Sequence, residues 1–221
     1  MMDNRTPYDK SATIWSPDGE LVQLSYARRA SQKGLPGFGL ILGEKQILLA
    51  ALLKKDKLIN TPRKIKLIDD NLYMVASGLS SDSNILLVQA RYIAQNHRLI
   101  YGEQMGPEKL TKQLGDILAQ QTIGMGSRAL GVSLLIAGFL SHEKRPRLYY
   151  IDTGGSFFAA KAYATGQDSD RIVNFFRKHY KGEHSLEGAK KLIVDALNEG
   201  KADVDSQISE DDVEFVLLEA E

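Results

Sequence analysis

Cysteine is absent from the 221-residue chain. Disulfide staples and thiolate metal centres are thereby excluded, and the absence agrees with a reducing cytosol. Histidine is scarce: His97, His142, His179 and His184 are scattered, and His142-Glu143 lacks a second ligand at metal-site spacing. All four are therefore read as surface residues, and no metal or cofactor is expected. A charge excess is missing too, because 28 Lys+Arg balance 28 Asp+Glu. A nucleic-acid binder usually carries a basic surplus, so no nucleic-acid partner is expected. Zero net charge also removes a repulsion that opposes self-association. No apolar run reaches the length of a membrane-spanning helix, and residues 1–10 show no apolar signal-peptide core. A cytoplasmic protein without a membrane partner is the expectation.

What is present is enough for a core without staples, since a chain of this length buries about 70–75% of its unfolded surface. Residues 38–42 and 46–53 read as strands around Gly43-Glu44-Lys45, the second almost continuously apolar and so covered on both faces. Residues 65–68 and 72–76 form the next pair, joined by the turn cluster Asp69-Asp70-Asn71. A long helix follows, with Ser81 as its expected N-cap. Ile85, Leu86, Val88, Tyr92 and Ile93 are its expected apolar face, and Gly102 its end. Pro107 opens a second helix with Leu110, Leu114, Ile117 and Leu118 in register. Residues 131–139, 148–152 and 157–164 read as strands. Helices start near Ser169 and Ser185, and residues 213–218 form a last strand. Gly154-Gly155 is a hairpin turn. Gly124-Met125-Gly126-Ser127 lacks the Lys and preceding strand of a phosphate loop.

Blocks of strands and of helix pairs, rather than strict alternation, argue for α+β. Two stacked sheets with helices outside are the economical packing. No linker or repeat divides the chain, so residues 1–221 are expected to form one domain.

The most informative stretch is residues 16–34, SPDGELVQLSYARRASQKG. Ser16-Pro17-Asp18-Gly19 is turn chemistry. A helix is expected over residues 20–33, with Gly34 as a left-handed stop. Leu21, Leu24, Ala27 and Ala30 spread around much of its circumference, and Val22 and Tyr26 fill the far side. A helix packed only on its own core would show one apolar face. This pattern suits either a helix wedged inside the fold or one shared with a neighbouring chain.

Tyr8-Asp9, Ser16-Pro17-Asp18-Gly19, Leu21, Gln23, Tyr26-Ala27 and Gly34 together resemble the N-terminal signature of proteasome alpha-type subunits, in style closest to the archaeal form. The resemblance implies a four-layer αββα sandwich of the N-terminal nucleophile hydrolase type, with an extra N-terminal helix. It further implies a non-catalytic subunit of a seven-membered alpha ring. Such a ring caps proteolytic beta subunits, gates substrate passage and docks the C-termini of a regulatory ATPase or other activator. Residues 1–13 would be the gate segment, steadied by Tyr8, Asp9, Pro17 and Tyr26. The activator pocket would be made by Gly34, Lys64 and Leu79, with Lys64 pairing the incoming carboxylate. The first helix would contact the neighbouring subunit.

Catalysis in this fold needs Thr, Ser or Cys freed as the first residue of the mature chain, its own amine serving as base. The matching strand start, Gly34-Leu35-Pro36-Gly37-Phe38-Gly39, has no such residue, and the supporting acid is replaced by Ala51. Lys64 would align with the catalytic lysine of beta-type subunits but without a nucleophile. The alternatives are a hydrolase using an unexpected nucleophile and an alpha-like ring without a proteolytic partner. Ser25, Leu35-Pro36-Gly37 and Ala129 depart from the family pattern. So does a connection from Leu53 to Lys64 about two residues short. They fit a diverged alpha-type paralogue.

Overall fold

The computed structural model describes residues 15–55, 58, 62–124, 127–139, 144–200 and 207–220. Tyr8, Asp9 and the proposed gate segment lie outside these residues. The order is α1 (Val22–Gln32), β1 (Gly37–Leu42), β2 (Gln46–Leu52), β3 (Ile65–Asp69), β4 (Leu72–Gly78), α2 (Ser80–Tyr101) and α3 (Pro107–Ile123). Then come β5 (Val132–Phe139), β6 (Pro146–Ile151), β7 (Phe157–Ala160), β8 (Ala162–Thr165), α4 (Ser169–His179), α5 (Leu186–Asn198) and β9 (Val213–Glu219). The strands form two antiparallel sheets, β8-β1-β2-β9 and β3-β4-β5-β6-β7.

Three apolar layers hold the sandwich together. Ile47, Leu49, Val75, Leu135 and Leu148 fill the space between the sheets. Leu86, Ala90, Leu110, Leu114 and Leu134 pack α2 and α3 onto the five-stranded sheet. Phe38, Leu40, Ile172, Phe176 and Ile193 pack α4 and α5 onto the other. The apolar run of β2 is buried because core lies on both of its faces. The expected αββα architecture is what the structure has.

Local chemistry sets many element ends. Gly102 closes α2 in the left-handed conformation and Pro107 opens α3. Ser185 caps α5, its hydroxyl accepting from the Gly188 N–H at 3.2 Å. Gly155 turns the chain between β6 and β7 with a positive φ.

The structure corrects several expectations. Ser81 lies inside α2, with Leu79 at the N-cap position. Residues 157–164 are not one strand: β7 pairs with β6, whereas β8 pairs with β1 in the other sheet. The chain changes sheets at Lys161. Tyr150, Phe158 and Tyr163, with ring centroids 4.7–5.3 Å apart, fill the corner that this leaves.

The apolar residues of α2 divide into two faces. Leu86, Leu87, Ala90 and Ala94 are buried, whereas Ile85, Val88, Tyr92 and Leu99 are 53%, 63%, 67% and 85% exposed. The charges of α2 do not offset that outer face. Asp82 is buried, Arg91 donates to the Leu67 carbonyl, and Arg98 pairs with Asp69 and Asp70. His97, expected at the surface, is only 8% exposed. It sits between the Lys109 ammonium at 3.3 Å and the Tyr101 ring at 4.6 Å between centroids.

Candidate functional site

The turn at Ser16–Gly19 delivers α1 to its place. The Glu20 N–H bonds the Ser16 hydroxyl at 3.1 Å, and the Gly19 N–H bonds the Ser16 carbonyl at 2.9 Å, with Gly19 at a positive φ. Trp15 and Leu21 then form a β-bridge, which keeps Leu21 extended and delays the helix to Val22. At the other end Gly34 is not left-handed, contrary to expectation. The last turn tightens instead, the Lys33 and Gly34 N–H groups reaching the carbonyls of Ala30 and Ser31. Gly34 is required for proximity: a Cβ there would lie 2.1 Å from the backbone nitrogen of Gly78.

That close approach makes a cleft of about 540 Å³ between α1 and the end of β4, lined by Tyr26, Arg29, Ala30, Lys33, Gly34, Gly78 and Leu79. It brings together Gly34 and Leu79 from the expected pocket and Tyr26 from the expected gate cluster. Arg29 and Lys33, one helical turn apart, were not singled out from the sequence. Their i, i+4 spacing, in register with Ala30 and Tyr26, was the available signal. Two cations make this opening electrostatically suited to a carboxylate. Pro17 lies in the turn ahead of α1 and does not line the cleft.

Lys64 is not among the cleft residues either. Its ammonium turns inward and donates to the Leu35 carbonyl at 2.6 Å, an oxygen that also accepts the Ser77 hydroxyl at 2.9 Å. Leu35 directly follows Gly34, so the ammonium reaches the wall behind the cleft. Burial lowers the Lys64 pKa to about 8, against an opposing pull from the Glu214 charge. Glu214 stands on β9 opposite Ala51. Its Oε2 accepts the Lys64 N–H at 2.8 Å and the Ile65 N–H at 3.4 Å. Its Oε1 is buried without a hydrogen-bond partner.

A second, smaller cavity of about 80 Å³ lies behind α1, lined in part by Arg28, Ser133, Tyr150, Asp152 and Thr165. Arg28 donates to Asp152 Oδ2 through Nε at 3.1 Å and Nη2 at 3.0 Å, tying α1 to the turn after β6. Burial pushes the Tyr150 hydroxyl well above its ordinary pKa, so it stays a neutral donor. Among the described residues no group of three His, Asp or Glu is placed to hold a metal ion, and no helix is long and apolar enough to cross a membrane.

Two face-to-face antiparallel sheets, helix pairs outside and a helix laid against the end of β4 and β5 define an α+β sandwich of the N-terminal nucleophile hydrolase type. Family comparison gives the particular branch. Residues 39–217 match the proteasome family of subunits, and residues 8–30 match the N-terminal signature of A-type proteasome subunits. The chain is 36% identical to a proteasome alpha subunit of Pyrococcus horikoshii, over 86% of this chain and 73% of that protein. It is 35% identical to a proteasome alpha subunit of Methanosarcina thermophila, over 97% and 90%. With an alpha type-7-A proteasome subunit of Arabidopsis thaliana it shares 30% identity, over 97% and 92%. The chain belongs to the proteasome subunit family, in its alpha-type branch.

Proposed function

We propose that this chain is a non-catalytic subunit of a seven-membered alpha ring that caps a beta-type proteolytic ring, controls substrate passage and docks activator C-termini. One observation carries the reading: Gly34, Leu79 and Tyr26 meet in a single cleft edged by Arg29 and Lys33, with Lys64 behind its wall. A free C-terminal carboxylate suits such a place, because charge-assisted hydrogen bonds contribute about 1.5–3 kcal/mol each. Tyr26 would link an occupied cleft to the gate segment, with Tyr8, Asp9 and Pro17 as its partners. The missing hydroxyl or thiol at residues 34–39 supports a subunit without its own catalysis.

Assembly has two suitable surfaces. One is the exposed side of α1, which buries only Ala27 and Ser31 within its own chain. The other is the uncharged outer face of α2. A heterologous contact repeated around a closed ring uses such unlike surfaces. Native mass spectrometry of the purified chain, with and without a cognate beta-type subunit, tests the proposal. A seven-membered ring, single or double, that becomes a four-ring barrel with the beta-type subunit supports it. A monomer or dimer under both conditions overturns it.

A further inference from the structure

The acid expected in this fold at the end of β2 is replaced by Ala51, yet the structure supplies a carboxylate beside the vacated position. Glu214 stands opposite Ala51 on the neighbouring strand and holds the backbone N–H groups of Lys64 and Ile65 with one oxygen. The other oxygen is buried and unpartnered. A carboxylate required only as a backbone clamp would be replaceable by a neutral amide. A charge with an idle buried oxygen is costly to keep, and its negative sign opposes the loss of the Lys64 proton that burial favours.

We propose that Glu214 is a positioning residue for activator docking: it clamps the backbone where Lys64 leaves for β3 and supplies the counter-charge for the Lys64 ammonium. This inference rests on the docking role assigned to Lys64. Among the described residues, the groups facing Lys64 from other elements are the Leu35 carbonyl ahead of β1, the Ser77 hydroxyl of β4 that shares that carbonyl, and Glu214 of β9, which bonds the Lys64 backbone N–H. Glu214 is the charged one among them. Arg63 and Lys66 flank Lys64 on its own segment and carry the opposite sign to Glu214. Burial works against the Lys64 cation and Glu214 works for it. The balance leaves the amine titrating at about 8, close enough to neutral pH that loss of one negative neighbour changes its occupancy.

The test uses the assembled particle and a fluorescent peptide of the last eight residues of the cognate regulatory ATPase, with its C-terminally amidated twin as the blank. Binding is measured between pH 6.5 and 9 for wild type, Glu214→Gln, Glu214→Asp and Lys64→Ala. Wild-type binding should weaken as pH rises through about 8. In Glu214→Gln the midpoint should move down by about one unit, giving roughly threefold weaker binding at pH 7.5, approaching tenfold near pH 9, and near-normal binding at pH 6.5. A merely structural defect would not be rescued by acid. Glu214→Asp keeps the charge, so its midpoint should stay with the wild type. It remains informative where the glutamine variant does not assemble. A midpoint unchanged in Glu214→Gln, or lowered in Glu214→Asp, overturns the inference. Undiminished peptide binding by Lys64→Ala sinks the Lys64 reading itself, which separates the two failures.

Discussion

The Asp82 carboxylate and the Arg128 guanidinium meet twice, Oδ1 to Nη2 at 2.7 Å and Oδ2 to Nη1 at 2.8 Å. Asp82 Oδ2 also accepts the Gly131 N–H at 2.8 Å. One carboxylate, 1% exposed, therefore fixes the start of α2 to the segment that enters β5.

Replacing Asp82 by Asn should lower stability by about 1.5–3 kcal/mol, because a charged acceptor and its buried N–H partner are both compromised. The Arg128 hydrogen bond holds the Asp82 pKa below its ordinary value. Its contribution is therefore complete above the unfolded value near 4 and lost as pH falls through the folded one. Urea denaturation of the chain at pH 7 and pH 3 checks this. The variant should lose less stability than the wild type over that interval.

The docking role proposed for Lys64 would set stability and function in opposite directions. Lys64→Met removes a desolvated ammonium while keeping most of its volume, and Ser77 still satisfies the Leu35 carbonyl. The urea midpoint at pH 7 should hold or rise, whereas activator-stimulated peptide hydrolysis by the assembled particle should vanish. Stimulation at the wild-type level would remove Lys64 from the docking role. The lowered pKa also requires the wild-type chain to gain stability from about pH 8 toward 10.5, where the unfolded lysine still holds its proton and the folded one does not.

Val88→Glu and Tyr92→Glu place a charge on the exposed face of α2. Isolated-chain stability should change by no more than about 0.5 kcal/mol, as is usual for surface substitutions. Native mass spectrometry should nonetheless show impaired assembly with the other core-particle subunits. Normal assembly by both variants would free this face from the subunit contacts.

Gly34→Ala should damage the cleft from within. Its new Cβ would meet backbone rather than a yielding side chain, so α1 has to shift, at a cost of about 1–3 kcal/mol. Thermal denaturation and peptide binding should both register it. Unaltered binding would show that the α1–β4 approach is not part of the docking geometry.

Much of the architecture was legible because local chemistry carried it. Gly102, Pro107 and Ser185 act within one helical turn, and the periodicities of α3, α4 and α5 each name one face. Other features depend on distant partners. FFAAKAYAT reads as one strand, since nothing in it tells that Lys161 is where sheets change. Apolar residues lie on both sides of α2, so periodicity could not say which side meets the sheet. His97 is buried by neighbours across the α2–α3 connection. At the candidate site the signature pointed to α1 and Gly34, and the wider family resemblance named Leu79, which lines the same cleft. It could not reveal that the Lys64 ammonium turns away from the cleft, because Glu214, which clamps that backbone, comes from the far end of the chain.

The sheet order also constrains how the chain is made. β1 and β2 leave the ribosome long before their outer neighbours, β8 and β9, which begin only at Ala162 and Val213. Until then the hairpin carrying QILLAAL has two bare edges, the kind of surface that recruits stray strands. A transcript truncated before residue 213 therefore yields a product with the edge of β2 unclosed.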